Sequence, residues 1–211
     1  MIVAFDHLIV AAATLEQGED YLEAKLGARP QRGGKHVAMG THNSLLKLGP
    51  RTFLELIAID PEGTAPTTPR WFALDAPVMR EALKASPRLI HWVARTDDIE
   101  AAGHGFPVEL GPAQPMERGS FRWRITIPGD GGLPGGGLVP TLIQWRDARH
   151  PADTLPESGL RLAALAGAHP QPATIRNALS ALGLGDAIKV TFSATPRLAA
   201  MLQTRLGAVT L

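Results

Sequence analysis

The chain has 211 residues, of which 45% are hydrophobic and 19% charged, a composition typical of globular proteins rather than disordered ones. Lysine and arginine (21) nearly balance aspartate and glutamate (20), and the resulting net charge of +1 gives no field that would attract nucleic acid or acidic membranes. The absence of cysteine excludes disulfides, thiolate nucleophiles and cysteine zinc sites.

The sequence carries neither a membrane-spanning nor a secretion pattern. No apolar run reaches the roughly 20 residues that cross a bilayer. Asp6 and His7 interrupt the N-terminal apolar stretch, where a signal peptide is uninterrupted. We therefore expect a cytoplasmic protein whose partner is a small-molecule substrate or ligand, with neither nucleic acid nor membrane as a partner.

The N-terminal part alternates between short apolar runs and turn residues. Residues 2–10 are apolar and rich in β-branched side chains, which predicts a buried strand. Thr14 and Gln17 have the spacing of a capping box, so a helix is expected to begin there, and Gly27 is typical of its end. The segments predicted next are a loop over 29–41 and two strands over 44–48 and 51–59.

The strand and helix pattern then restarts after a linker. The linker begins at Asp60, is rich in proline, threonine and glycine, and leads into a segment of helical composition. Gly103 is expected to end a second short helix. The predicted strands of this second half are 88–95, 120–127 and 138–146. The C-terminal part is expected to hold a strand near 160–166, a helix over 173–182 and strands near 188–193, 197–203 and 208–211. We divide the chain into 1–60, 61–87, 88–150 and 151–211.

Four polar side chains lie within otherwise apolar strands at repeated places. His7 and Glu55 fall in the first and last predicted strands of the first half, and His91 and Gln144 in those of the second. If the four converge, two imidazoles, a carboxylate and an amide oxygen suit a divalent cation such as Zn, Ni, Mn or Fe(II). Such an ion can polarise a carbonyl or stabilise an enolate. The alternative is that each side chain is satisfied separately by a hydrogen bond in the core.

Several segments also carry a resemblance to a known family. They are FDHLIV, GGKHVAMGTHNSLLKLG, TFLELIAID, WVARTDDIE, FRWRITIP and TLIQWRDARHP. Over about residues 2–151 the chain resembles the vicinal oxygen chelate superfamily and, within it, the glyoxalase-like domain family. The resemblance implies an α+β fold of paired βαβββ modules, 1–60 and 88–150, with a partial third unit at the C-terminus.

The resemblance also implies a ligand set and several chemistries. Metal ligands come from the first and last strand of each module, which are the places of His7, Glu55, His91 and Gln144. The glyoxalase I branch generally has a proton-transferring carboxylate where this chain has Gln144, so methylglyoxal isomerisation is disfavoured. Extradiol dioxygenases use two histidines and one carboxylate on iron, a set that this chain matches in number but not in order. Bleomycin-resistance-like members bind ligands without metal.

Further candidates for catalysis and substrate binding each have a plainer alternative. His36 and His42 fall in the predicted loop, where a histidine suits acid-base chemistry or substrate contact, or is simply solvated. Asn43 is expected either to bind substrate or to cap the following strand. Glu117 is a candidate to replace the missing proton-transfer carboxylate, or else a surface residue.

Two arginines share one face of the strand predicted over 120–127. Alternation places Arg122 and Arg124 together, opposite the apolar side chains of that strand. On the cleft face, a guanidinium would bind a carboxylate or phosphate of the substrate. On the outer face, the same residues would be ordinary solvated arginines.

Three functional hypotheses follow from the sequence. The first is a divalent-metal-dependent lyase, isomerase or oxygenase that acts on a small oxygen-bearing metabolite between the modules. The second is a non-catalytic small-molecule-binding protein of the same fold. The third adds that the incomplete C-terminal unit exposes strand edges that a second copy would cover, which would make a homodimer.

Overall fold

The computed structural model describes residues 2–211. Helices and strands follow one another in the order of a repeated module. In chain order the elements are β1 (Val3–Ala11), α1 (Leu15–Leu26), β2 (Gln31–His36), β3 (Thr41–Gly49), β4 (Thr52–Ile59), α2 (Pro77–Ala85), β5 (Arg88–Thr96), α3 (Ile99–Gly103), β6 (Ala113–Arg118), β7 (Phe121–Thr126), β8 (Thr141–Trp145), α4 (Pro151–Thr154), β9 (Arg161–His169), α5 (Pro172–Ala181), β10 (Lys189–Phe192), β11 (Arg197–Thr204) and β12 (Gly207–Thr210).

The first helix begins and ends where its sequence signals lie. The Thr14 hydroxyl accepts a hydrogen bond from the backbone N–H of Gln17, and the Gln17 side chain accepts one from the N–H of Ala13. Gly27 ends the helix with a φ of 70°, a left-handed conformation that glycine adopts without a Cβ clash.

Two modules build one eight-stranded sheet in the order β2-β3-β4-β1-β5-β8-β7-β6. In each module the first strand pairs in parallel with the last, β1 with β4 and β5 with β8. The modules join through the antiparallel pair β1 and β5. The predicted α+β class with paired βαβββ modules is confirmed.

The sheet curls until its two edge strands, β2 and β6, contact each other. Gly33 and Gly34 of β2 permit this closure, because Arg118 of β6 packs against them. A Cβ at Gly33 would lie 2.4 Å from the Arg118 Nη1 atom. The curl therefore brings a cation from the second module over the first.

The C-terminal unit forms a separate four-stranded sheet in the order β10-β9-β11-β12. Its elements again follow the order strand, helix and three strands. Here, however, β9 pairs in parallel with β10, the strand directly after the helix. The unit therefore differs in pairing from the two complete modules.

The two faces of the eight-stranded sheet carry different clusters. Helix α1 and the C-terminal unit cover one face, where the larger apolar core includes Leu8, Leu54 and Trp92. On the other face, Ile9 and Ile143 belong to a smaller cluster that also contains aromatic residues. A cavity lies on this second face.

Two strands were not predicted from the sequence. The prediction of a loop over 29–41 is wrong for β2, whose sequence QRGGKH is mostly exposed and has no apolar alternation. It is held by pairing with β3. Strand β6, with the sequence AQPMER, lacks the alternation for the same reason. Among residues 2–211 no helix has the length and apolar character needed to span a bilayer.

Candidate functional site

The cavity lies between the two modules and is small, with a volume of about 30 Å³. That is room for roughly one or two water molecules. Polar side chains line one side of the cavity, and aromatic rings line most of the remaining surface. The lining residues are His7, His36, Asn43, Phe53, Glu55, Trp71, Phe72, Arg118, Trp123, Ile125, Ile143, Trp145 and Pro151.

Glu55 is the centre of the polar side. Its Oε2 atom lies 3.5 Å from His7 Nε2, and its Oε1 atom lies 3.7 Å from His36 Nε2. The Asn43 amide donates a hydrogen bond to the same Oε1 atom at 2.5 Å, and Arg118 donates to the amide oxygen of Asn43 at 2.6 Å. The carboxylate therefore stands between two imidazoles, one on each of its oxygens.

A second buried carboxylate, Asp6, binds His7 on the side of the ring opposite Glu55. Asp6 is completely buried and accepts a hydrogen bond from His7 Nδ1 at 2.6 Å. Its other oxygen accepts hydrogen bonds from Trp145 Nε1 at 3.0 Å and from His150 Nε2 at 3.2 Å. This network fixes the ring of His7 with its Nε2 atom towards Glu55.

The acidic groups of the site are strongly anionic, and His7 is cationic. Burial alone would lower the pKa of His7, but hydrogen bonds to Asp6 and Glu55 outweigh it and raise this pKa to about 9. Burial alone would raise the pKa of Glu55, but hydrogen bonds from His7 and Asn43 and the charge of His7 lower it to about 2. Hydrogen bonds from His150 and His7 overcome the effect of burial and hold the pKa of Asp6 well below its usual range.

The second imidazole at Glu55 is neutral. Burial lowers the pKa of His36 to about 4, although the charge of Glu55 opposes this. Its Nδ1 atom lies 3.1 Å from the Thr41 hydroxyl, which leaves the Nε2 lone pair towards Glu55 and Asn43. Burial also lowers the pKa of Arg118, while the charge of Glu55 opposes this shift. The cavity thus presents one charged and one neutral imidazole on the two sides of a carboxylate.

Comparison with known proteins agrees with this architecture. Residues 5–183 match a family model described as a glyoxalase-like domain. The chain belongs to the glyoxalase-like domain family. The match covers most of the chain and confirms the resemblance found in the sequence.

Solved structures are similar to this glyoxalase-like protein at low sequence identity. A hypothetical protein from Staphylococcus aureus is 16% identical, with a TM-score of 0.66 over 93% of this chain and 88% of that one. Methylmalonyl-CoA epimerase from Mycobacterium tuberculosis is 19% identical, with a TM-score of 0.44 over 69% of this chain and 89% of that one. No curated protein matches the glyoxalase-like chain.

The predicted metal quartet does not converge in the glyoxalase-like protein. His7 and Glu55 lie together, but His91 is fully buried and both of its ring nitrogens have partners. Its Nδ1 atom donates to the Gly137 carbonyl, and its Nε2 atom accepts the backbone N–H of Thr141. The expectation that His91 points a free nitrogen into the cleft is wrong, because the neighbouring turn and β8 satisfy the ring.

Gln144 lies on the opposite face of β8. Its amide donates to the Asp97 carbonyl at 2.7 Å and accepts from the N–H of Ile99, so it holds the start of α3. The adjacent residues Ile143 and Trp145 line the cavity instead. The placement of Gln144 in the cavity is therefore wrong, because the alternation of β8 turns its apolar residues inwards.

The two predicted arginines lie on the outer face of β7. Arg122 pairs with Glu117 at 2.9 Å, and Arg124 pairs with Glu100 of α3. Trp123 and Ile125 occupy the cavity face of that strand. The cleft placement considered for Arg122 and Arg124 is therefore wrong. So is that of Glu117, whose side chain is 70% exposed.

The two histidines expected in a loop lie in strands and face different ways. His36 ends β2 and lines the cavity, as does Asn43 of β3. His42 precedes Asn43 on β3 and faces the other side, with its Nδ1 atom 4.0 Å from Asp60. His42 therefore does not contact the site, contrary to its selection as a substrate-binding candidate.

Sequence reasoning missed several residues of the site, among them Asp6, Arg118 and Trp145. Asp6 was noted only as a charge within an apolar strand, although a carboxylate next to a buried histidine is a signal for an ion pair. Arg118 follows Glu117 in a segment without periodicity. Trp145 follows Gln144 in an apolar strand, and its hydrogen bond to Asp6 has no sequence signal.

A divalent ion requires several donor atoms that converge on one point. Two imidazoles and a carboxylate are suitable ligands chemically. Glu55, however, lies between the rings and faces each with a different oxygen. Within residues 2–211, no three His, Asp or Glu side chains are grouped so that they could share an ion. As arranged, the residues do not fit a metal centre.

The pKa values at Glu55 predict how stability depends on pH. The pKa of His7 is 6.5 in the unfolded chain and about 9 in the fold, so its stabilising effect is complete below pH 6.5 and is lost as the pH rises through 9. The change corresponds to about 3 kcal/mol of unfolding free energy. Urea unfolding of the wild type at pH 6.5 and at pH 9.5 measures this loss.

A His7→Gln variant is the control for the pH dependence. Because glutamine does not titrate, its unfolding free energy is expected to change much less between the same two pH values. Equal pH dependence of the variant and the wild type would contradict the assignment of His7 as the group responsible.

Proposed function

We propose that the protein is an isomerase or lyase that binds a small oxygen-bearing anion in the cavity and moves a proton on it. The supporting observation is the Glu55 carboxylate between the cationic His7 and the neutral His36. Groups whose surroundings drive their pKa values apart are the usual acid and base of such a reaction.

His36 is the proposed base and His7 the proposed acid. The Nε2 lone pair of His36, which the Asn43 amide nitrogen approaches to 3.4 Å, takes a proton from the carbon next to a carbonyl of the bound molecule. The His7 imidazolium returns a proton from its Nε2 atom, so the molecule is isomerised and gains no net proton. Glu55 contacts both rings and passes the proton from His36 back to His7, which restores the resting state.

Arg118 is proposed to bind the negative charge of the substrate. It is the arginine among the lining residues of the cavity. None of the salt bridges among residues 2–211 includes it. Its hydrogen bond goes to the neutral Asn43 amide, so its other N–H groups remain for a carboxylate, which arginine binds in bidentate fashion. The cavity volume of about 30 Å³ is smaller than such a substrate, so binding requires the lining side chains to move apart.

An Arg118→Gln variant is expected to weaken binding of a small carboxylate by about tenfold to a hundredfold, because a charge-assisted hydrogen bond contributes roughly 1.5–3 kcal/mol. Isothermal titration calorimetry with pyruvate, oxalate and glycolate measures the effect. The matched control is Arg122→Gln, since Arg122 lies on the outer face and pairs with Glu117. Equal loss in both variants would contradict the assignment of Arg118.

Solvent exchange tests the proposed function directly. The protein is incubated in D₂O with a panel of small 2-oxo and 2-hydroxy acids, and proton NMR follows the loss of the C–H signal next to the oxygen-bearing carbon. Catalysed exchange on one member supports proton transfer. Binding of these acids without exchange on any of them would instead support a non-catalytic small-molecule-binding protein, the alternative predicted from the sequence.

A divalent-metal-dependent lyase, isomerase or oxygenase is the second candidate. The observation in its favour is the hydrogen bond between His7 Nδ1 and Asp6, because metal-ligating histidines usually donate their other nitrogen to a carboxylate. His7, Glu55 and His36 would then have to regroup around one ion. Elemental analysis of protein purified without chelator decides between the candidates. A stoichiometric ion that His7→Ala and Glu55→Ala both abolish would overturn the metal-free proposal.

A further inference from the structure

Trp71 lies in the wall of the cavity with an unused hydrogen-bond donor. Its side chain is buried, with 3% exposure, and its Nε1 atom has no hydrogen-bond partner among residues 2–211. A buried indole N–H usually finds an acceptor, since an unsatisfied one destabilises the fold. The completely buried indole of Trp92, by contrast, donates to the Leu138 carbonyl. The unpaired donor of Trp71 therefore needs an explanation.

The position of the ring relates it to the proposed base. The Trp71 ring meets His36 edge to face, with ring centroids 5.1 Å apart and an angle of 82° between the planes. It also stacks on Phe72 at 5.3 Å. The indole thus borders the side of the cavity on which His36 and Glu55 lie.

The backbone that carries Trp71 is strained. Phe72 and Ala73 follow it with φ values of 58° and 55°, in the left-handed region that non-glycine residues rarely adopt. Such residues destabilise the fold and are concentrated at functional sites. The strain is therefore a second observation, independent of the unpaired donor, at the same place.

The strained turn is held from both sides. Arg70 pairs with Asp75 at 2.8 Å, and the N–H of Ala73 donates to the Gly131 carbonyl at 2.8 Å. A Cβ at Gly131 would lie 2.2 Å from the Arg70 carbonyl oxygen, so the glycine-rich turn fits closely against this segment. The contacts hold the Trp71 ring in the cavity wall.

We infer that Trp71 is a ligand-binding residue whose indole N–H donates a hydrogen bond to an oxygen of the molecule bound in the cavity. This inference rests on the proposed function and extends it. Arg118 binds the charged group of the anion, and Trp71 binds its second oxygen, beside His36. The ligand is therefore a small anion with an acceptor oxygen close to its carboxylate.

The test uses the indole signals of the ¹⁵N-labelled full chain, which has four tryptophans, and the probes pyruvate, oxalate and glycolate. The Trp71 signal is assigned by its loss in Trp71→Phe. We expect it to move downfield on saturation with a probe, while the Trp92 signal stays in place. We also expect Trp71→Phe to raise the Kd of the probe about tenfold, with its melting temperature close to that of the wild type.

The outcomes separate this inference from the proposed function. A probe that binds the wild type without moving the Trp71 signal, or that binds Trp71→Phe equally well, overturns the inference and leaves the proposed function in place. If none of the probes binds the wild type at millimolar concentration, the anion site itself is refuted, and the role of Trp71 falls with it. The wild-type signal decides the question even if Trp71→Phe folds poorly.

Discussion

Replacement of Asp6 by Asn is expected to lower the unfolding free energy by about 3–5 kcal/mol, the usual effect of removing one partner of a buried ion pair. The variant leaves the cationic His7 without its carboxylate partner at 2.6 Å. Asparagine also has an NH₂ group in place of one carboxylate oxygen, so it cannot accept hydrogen bonds on both sides from His7 and from Trp145, as Asp6 does in the wild type. Urea unfolding at pH 6.5 measures the change.

Asp20→Asn is the matched control for Asp6. Asp20 is also an ion-paired aspartate, bonded to Arg29 at 2.8 Å, but its side chain is 72% exposed. Pairs of this kind contribute about 0–1 kcal/mol. A loss at Asp6 as small as that at Asp20 would show that Asp6 does not hold the site together.

The sequence predicted the site best in the first module. Strand β4 is apolar on both faces, so Glu55 was conspicuous as a charge among buried residues. His7 was conspicuous in β1 for the same reason. Both lie in the cavity because the parallel pairing of β1 with β4 sets His7 opposite Phe53 and Ile9 opposite Glu55, on one face of the sheet.

The second module misled the prediction because its cavity face is apolar. In β7 and β8, the residues that line the cavity are Trp123, Ile125, Ile143 and Trp145. The polar residues between them point outwards and fix the sheet to α3 and β6. If polar side chains are assumed to face the cleft, the cavity face and the outer face of both strands are exchanged. This one assumption explains the errors at Arg124 and Gln144.

Contacts distant in the chain account for the remaining errors. His91 lies in the predicted strand, but its two partners, Gly137 and Thr141, come from a turn and strand whose conformation depends on several left-handed glycines. Arg118 reaches the site only because the sheet curls until β6 meets β2. Neither hydrophobic periodicity nor turn signals encode such contacts.

The two modules therefore contribute different parts to one cavity. The first supplies the groups that titrate, His7, His36 and Glu55, and the second supplies aromatic walls and the cation of Arg118. Aromatic walls strengthen the electrostatic interactions of the charges opposite them, because they lower the local polarity. The division of parts explains why the matching positions of the duplicated fold do not carry matching chemistry.

Replacement of Glu55 by Gln is expected to reduce catalysed exchange by about 10²–10⁴-fold, the usual contribution of a group in general acid-base catalysis. Glutamine keeps the shape of the side chain but carries no charge, so it cannot return the proton from His36 to His7. The pKa of His7, held at about 9 with the help of Glu55, should fall in the variant. Exchange in D₂O and an NMR titration of the His7 ring measure the two effects.

Glu117→Gln makes the same chemical change at an exposed carboxylate whose contact is with Arg122. Exchange rate and His7 pKa are expected to stay at their wild-type values in this variant. The titration separates catalysis from folding, because a His7 ring that still titrates, at a lowered pKa, shows that Glu55→Gln keeps the folded site although the rate is lost. Full exchange activity in Glu55→Gln, or an equal loss in Glu117→Gln, would contradict the relay, since Glu55 contacts both imidazoles of the cavity and Glu117 contacts Arg122 instead.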